Sequence, residues 1–372
     1  MDILNQFYEI SKDPFAYARS WKNETNGKIV GHFCSYTPEE IILAAGALPF
    51  RIFGSADNVS KSDAHLQAYS CSLVRGALGD ALSGRLDFLD GIVFPHTCDS
   101  IQRLSDIWRM NITCGFHTDV ILPVKLNTKS AREYMVSVIH KFKKDLENRL
   151  QVEITDEKLK NAVNHYNKLR SRLRRIYEIR RENPNLIDGS AVHAIVKTSM
   201  IMDRKALSQE LDKVIEKLES RKNSPASSKK RLIAAGGLCS MPDIYKILED
   251  SGAWIVWDDF CTGSRYFDGK IDTDGDILES IAKRYLERIV CPAKHSGLYS
   301  RGEHILKIVR QSKAQGVIFL FLKFCDPHSF DYPYIKEMLD KEGIPNMLFE
   351  IEDQLPSEGQ LKTRCEAFIE ML

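Results

Sequence analysis

The chain has 372 residues, a formal charge of +1, 43% apolar and 28% charged residues. That length exceeds one ordinary hydrophobic core, so two domains are expected, and the balanced charge gives no bulk attraction to nucleic acid. No run of about 18 apolar residues occurs, and Met1 to Ser20 lacks the apolar core of a secretion signal, so no membrane association is expected and the location reads as cytoplasmic.

An N-terminal helical stretch, Ile3 to Asn23, leads into a buried strand at Lys28 to Cys34. In Ser35-Tyr36-Thr37-Pro38-Glu39-Glu40, Thr37 reads as helix N-cap, Pro38 as first helical residue and Glu40 as the reciprocal partner of a capping box. The helix Glu39 to Ala45 stops at Gly46. Strand Pro49 to Phe53 then completes a βαβ unit with a right-handed crossover. Strand Gly91 to Pro95 ends at Cys98-Asp99, with Asp99 and Gln102 as a capping pair for the helix through Trp108. Thr118 to Val124 reads as the last strand of this lobe.

Lys129 to Arg221 carries Lys, Arg, Glu and Leu at helical spacing and reads as a helical connector. Its basic run, Arg170 to Arg181, reads as a solvated helix face balanced by nearby acids. Asn223 to Lys230 is a linker, rich in Ser and Lys.

From Arg231 the pattern repeats. Strand Arg231 to Gly237, then Cys239-Ser240-Met241-Pro242-Asp243, a helix to Asp250, Gly252 and strand Ala253 to Asp258 match the first lobe's strand, Cys34-Ser35, Pro38-Glu39, helix, Gly46 and strand. Gly316 to Cys325-Asp326 likewise echoes Gly91 to Cys98-Asp99, with Asp326 and Pro327 as N-cap and first helical residue. The expected fold is α/β, with two doubly wound, flavodoxin- or Rossmann-like lobes related by internal duplication and joined by a helical connector. The expected divisions are 1–128, 129–230 and 231–372. Strand 346–351 and an amphipathic helix from Gln360 to Leu372 close the chain.

In such sheets ligands bind beyond the carboxyl ends of the strands, and Cys34, Cys98, Cys239 and Cys325 all sit at such ends. If the lobes face each other, these four converge on one cleft. In a reducing compartment the nine cysteines read as buried hydrophobes, nucleophiles or metal ligands rather than disulfides. A thiolate just ahead of a helix N-terminus is stabilised by unpaired N–H groups, so a lowered pKa is expected there. No two cysteines are two residues apart with the spacing of a metal motif, which excludes zinc ribbons and ferredoxin-type runs but leaves dispersed ligands gathered by the fold. Cys71, opening a helix, and Cys261, following a strand, can reach the same cleft. Cys291 lies in a loop with Pro292. Cys114 and Cys365 read as packing residues. Two competing readings are a cysteine hydrolase, using Cys291 with His295 or Cys325 with His328, and a Cys/His zinc site. Neither accounts for the repeated Cys-Asp turns. With no G-x-x-x-x-G-K-[ST] and no G-x-G-x-x-G in the chain, any ATP dependence must come from another protein.

At these residues the sequence resembles the family of (R)-2-hydroxyacyl-CoA dehydratase components and benzoyl-CoA reductase subunits. The likeness rests on Cys34-Ser35-Tyr36-Thr37-Pro38-Glu39-Glu40 with Ala44-Ala45-Gly46, Asp90-Gly91-Ile92-Val93 to Cys98-Asp99, Phe324-Cys325-Asp326, and Thr363-Arg364 to Glu370-Met371-Leu372. It implies a lyase component carrying a 4Fe-4S cluster on Cys71, Cys98 and Cys325. An ATP-hydrolysing iron–sulfur activator would inject one electron, so that an acyl-CoA substrate loses water through a ketyl radical. An iron left open by three-cysteine ligation would bind the substrate oxygen.

Some paired dehydratase subunits lack cysteines at the places of Cys34 and Cys261. This chain has both, together with Cys239 and Cys291, and so is similar to the stand-alone, homodimeric branch that holds a double-cubane 8Fe-9S cluster. There Cys34, Cys71, Cys98, Cys261, Cys291 and Cys325 would serve, or Cys239 in place of Cys291. The implied partners are the activator and either a paralogous subunit or a second copy of this chain. The implied activities are dehydratase, reductase of small molecules, or a non-catalytic electron relay.

Overall fold

A computed structural model describes residues 3–221, 228–237, 243–351 and 357–372. Among these, eight short strands, mostly buried and rich in apolar residues, form two four-stranded parallel sheets. The first contains β1 (Lys28–His32), β2 (Ala47–Arg51), β3 (Gly91–Pro95) and β4 (Phe116–Val120), in the order β2-β1-β3-β4. The second contains β5 (Lys230–Gly236), β6 (Ala253–Asp259), β7 (Gly316–Leu322) and β8 (Asn346–Ile351), in the matching order β6-β5-β7-β8. The Cys239 turn of the sequence repeat lies outside the described residues.

Both faces of each sheet are buried, as a parallel sheet requires. Alternate residues feed different cores. Ile29 and Phe94 join Ile233 and Phe319 in one core that runs through both lobes, while Val30 and Val93 face a second and Leu232 and Ile318 a third. The fold is therefore α/β with two doubly wound lobes. Along the chain between the sheets, four helices occupy Lys129–Leu150, Asp156–Glu182, Gly189–Ser199 and Arg204–Glu219.

Local chemistry adjusts several expected boundaries. The first helical stretch breaks into Ile3–Lys12 and Pro14–Thr25, because Asp13 caps the second helix by accepting from Ala16 N at 3.0 Å. The last strand of the first sheet ends at Val120, since its ladder partner ends at Pro95; Ile121 and Val124 are exposed beyond it. No capping box forms at Thr37. Its hydroxyl donates instead to Phe33 O at 2.8 Å, Pro38 takes the N-cap position of helix Glu39–Ala44, and Glu40 pairs with Arg170. Cys98 and Cys325, not Asp99 and Asp326, are the N-cap residues of their helices.

The basic run is not simply a solvated face. Arg172 and Arg175 do make outer ion pairs, with Asp212 and Glu219. Arg170 and Arg180 are buried; Arg180 donates to Ile255 O at 2.8 Å and to Glu249 Oε1 at 2.7 Å. Helical spacing places these two on the inward stripe, where each finds a carboxylate.

Glu39 joins the pieces. Its Oε2 accepts from Tyr166 Oη at 2.8 Å, Tyr266 Oη at 3.1 Å and Arg204 Nη2 at 3.1 Å. These partners come from two connecting helices and from the segment after β6, so one carboxylate ties both lobes together. Breaking a buried ion pair strands a charge and costs about 3–5 kcal/mol. Glu40→Ala should therefore lower the unfolding free energy in urea by about that much. Replacing both Glu40 and Arg170 by Met should recover most of the loss.

Candidate functional site

In this strand order the winding reverses between β1 and β3 and between β5 and β7, and the loops leaving those strands part to open a crevice. Cys34 lies just beyond β1, Cys98 just beyond β3 and Cys325 just beyond β7. Cys71, Cys98 and Cys325 are the N-cap residues of helices Ser72–Leu82, Asp99–Asn111 and Asp326–Lys341. The backbone is constrained where it delivers two of the thiols: Cys34 has φ 52° and Phe324, before Cys325, has φ 65°. Non-glycine residues rarely adopt such angles outside sites that over-determine them.

Cys291 reaches the same rim by a strap from the second half of the chain. Arg288 donates to Ser35 O, Tyr285 Oη to Thr37 O at 2.8 Å, and Tyr36 Oη accepts from Cys291 N at 3.4 Å. Further on, Lys294 Nζ donates to His96 O at 3.1 Å and His295 N to Val124 O at 2.8 Å. The strap thus docks on the loops around Cys34 and Cys98. Cys261 follows β6, with its Sγ 3.9 Å from Arg51 Nη2.

The thiols do not have the lowered pKa expected of helix N-termini. Burial pushes Cys71 up to about 11 and Cys34 and Cys98 to about 12, and pushes Cys325 up as well. Backbone amides of the following turn pull against this at Cys71, Cys98 and Cys325, but desolvation is the larger effect. The cysteines also act on one another electrostatically: Cys98 and Cys291 raise Cys34, Cys34 raises Cys71, Cys71 and Cys291 raise Cys98, and Cys71, Cys98 and Cys291 raise Cys325, which marks the five as surrounding one space. Burial favours the neutral thiol until a cation arrives.

The remaining cysteines fall elsewhere. Cys114 precedes β4, at the opposite rim, and donates to Leu89 O at 3.2 Å. Cys365 is fully buried in the core beside Phe368. Cys239 lies outside the described residues.

Cys325 Sγ does stand 3.2 Å from His328 Nδ1. Burial, reinforced by Arg265 and Arg301, pushes His328 well below its ordinary pKa, so it is neutral and no thiolate–imidazolium pair forms. Among the described residues no three His, Cys, Asp or Glu side chains converge on a single-ion site. The thiols are spread around the cleft, one from each of several loops. A polynuclear cluster takes its ligands in that way, one thiolate per iron.

A cavity of about 370 Å³ opens beside Cys98, bounded by Ser100, Lys294, Arg301, Asp326 and Phe330. Cations crowd this region. Arg51, Arg265, Arg288, Arg301 and Lys294 are all buried, and burial lowers Lys294 to about 8. None of these was singled out from the sequence, although Arg51 closing the apolar strand Ala47-Leu48-Pro49-Phe50 was a visible signal.

Fold and site together define a two-lobed α/β protein with a thiol-lined interlobe cleft. The family model described as 2-hydroxyglutaryl-CoA dehydratase, D-component, matches residues 34–372, and the chain belongs to that family. Its relatives include the (R)-phenyllactyl-CoA dehydratase beta subunit of Clostridium sporogenes, 28% identical, with 100% of this chain and 98% of the relative covered. Lactoyl-CoA dehydratase subunit beta of Anaerotignum propionicum is 27% identical, with 100% and 98% covered. A benzoyl-CoA reductase subunit of Thauera aromatica is 28% identical, with 97% and 95% covered. The family is one of 2-hydroxyacyl-CoA dehydratase components, a lyase class, with benzoyl-CoA reductase relatives. No helix among the described residues is long and apolar enough to cross a membrane.

The raised thiol pKa values set a pH dependence for the stability of the chain. Below about 8.5, the ordinary thiol value, folded and unfolded states are both protonated and stability is full. Above it the unfolded chain sheds protons first, so stability should fall between about pH 8.5 and 12, on the order of 1.4 kcal/mol per pH unit per thiol. Urea midpoints measured across that range should drop, and Cys98→Ala should flatten the slope.

Proposed function

We propose that the cleft holds an iron–sulfur cluster on Cys71, Cys98 and Cys325. The chain then acts as the iron–sulfur component of an (R)-2-hydroxyacyl-CoA dehydratase-type system. The supporting observation is that three N-cap cysteines, two in the first lobe and one after a strand of the second sheet, lie within electrostatic reach, Cys71 acting on Cys98 and both acting on Cys325. The donor set fits the group: soft thiols, with buried cations around an anionic cluster. Lobes at 1–128 and 231–372, joined by 129–230, would close over it from both sides.

When bound, such a cluster supplies a low-potential electron and, where an iron lacks a fourth protein ligand, a Lewis-acid site for the substrate oxygen. The chain's own groups do the rest. The N-terminal amides of three helices stabilise the thiolates once iron displaces their protons. Burial keeps water from Cys71, while the cavity beside the partly exposed Cys98 offers space for an acyl group. The reducing electron would come from an ATP-hydrolysing activator protein in the cytoplasm. By analogy with relatives named as beta subunits, a paralogous subunit would complete the enzyme.

A second reading has its own support. Cys34 and Cys291 share the electrostatic neighbourhood of Cys98, and Cys261 stands beside Arg51, giving six thiols at the cleft. That number suits two cubanes with three protein ligands each, the 8Fe-9S double-cubane reductase, acting as a homodimer.

Iron and acid-labile sulfide counted on anaerobically purified protein should give about four irons per chain for the first reading and about eight for the second. Cys98→Ala and Cys325→Ala should lose most of the iron and the brown absorbance, whereas Cys114→Ala should keep both. Full iron in Cys98→Ala would sink the cleft assignment.

A further inference from the structure

Among the described residues, every buried arginine but one has a carboxylate or carbonyl oxygen as acceptor for its charge. Arg170 pairs with Glu40, Arg180 with Glu249 and Arg204 with Glu39, while Arg265 and Arg301 share Asp259. Arg284 donates to the carbonyls of Tyr266 and Asp268, and Arg288 to those of Ser35 and Arg265. Arg51, at the end of β2 and 1% exposed, is different. Among the described residues its Nε and Nη1 have no hydrogen-bond partner and no carboxylate pairs with it.

What Arg51 does meet is sulfur. Nη2 points to Cys261 Sγ at 3.9 Å, and Cys34 also lies within reach of its charge. The two cysteines follow β6 and β1, one from each lobe, so the guanidinium bridges the cleft. Glu39 feels the same charge, but its Oε2 is committed to Tyr166, Tyr266 and Arg204. His32, buried close by and pushed down to about 4 by desolvation, offers no negative charge. A buried guanidinium without an anion is steeply unfavourable, and the residue that carries it is pinned by a backbone hydrogen bond from Arg51 N to Met200 O at 3.1 Å.

We infer that Arg51 is the counter-cation of the metal cluster on its Cys34–Cys261 side, a positioning residue that sets the cluster's reduction potential. The assignment rests on the cluster reading above. Reduction adds negative charge to the cluster, so a fixed cation within reach favours the reduced form, and removing it must make reduction harder.

The test exploits a change of sign. Arg51→Met removes an unpaired buried charge, so in the iron-free full chain the variant should melt at a temperature equal to or above wild type. In the iron-loaded chain the same substitution strips the cluster of its counter-charge. That form should melt below wild type, release iron faster to a chelator and show a more negative reduction potential. Arg51→Lys, which keeps the charge but not the fork, should restore part of the potential shift. If Arg51→Met instead lowers the melting temperature of both forms alike and leaves the potential unchanged, Arg51 is structural only and the assignment fails. A wild-type chain that carries no iron overturns the cluster reading and this assignment with it; iron-bearing wild type with an unaltered variant overturns the assignment alone.

Discussion

A carboxylate can sit in a protein interior only if enough donors surround it, and Glu39 is held in that way by two tyrosine hydroxyls and an arginine. Those donors arrive from the helices Asp156–Glu182 and Arg204–Glu219 and from the segment after β6. The loop that leaves β1 with Cys34 is therefore anchored to both the connector and the second lobe. Glu40 repeats the arrangement with Arg170, one residue along. The Thr-Pro-Glu-Glu segment is thus less a helix start than a junction, and the facing of the two strand rims depends on it.

Given that junction, the cleft follows from topology. Two parallel sheets of the same strand order present their switch points to each other, and the residues leaving those points include cysteines. Helix N-termini and burial then act in opposite directions on the same thiols. Burial prevails, which keeps the thiols protonated and mutually tolerable at close quarters. On the proposed ligation a metal would reverse that balance, because it would replace each proton with a cation and let the helix amides stabilise the resulting thiolate.

Much of this was legible in the residues. Apolar runs bounded by Gly and Pro located the strands, and the Cys98-Asp99 turn with its counterpart Cys325-Asp326 pointed to one cleft. What failed to show was anything decided by long-range partners. Thr37 has the right spacing for a capping box, but Glu40 is drawn to an arginine 130 positions away in the chain. Arg170 and Arg180 read as surface charge because periodicity reports the stripe and not the carboxylate opposite it. The thiol pKa values went the other way from the helix-dipole argument for a related reason: the N-terminus is visible in sequence, whereas the depth at which the fold buries it is not. The cationic surroundings of the cleft were hidden likewise, since Arg51, Arg288 and Lys294 are far apart in sequence or carried on a strap whose docking only the fold decides.

The three N-cap thiols are widely separated along the chain, from Cys71 to Cys325. During synthesis the first two emerge long before the third, and the strap bearing Cys291 also comes late. A nascent chain therefore displays Cys71 and Cys98 with no opposing lobe to complete their surroundings. On the proposed ligation, metal delivery is a late event in maturation, gated by completion of the second sheet rather than by the appearance of the first cysteines. A truncated product ending in the connector would present thiols without a cleft, and so would be a poor recipient for whatever machinery loads the full-length protein.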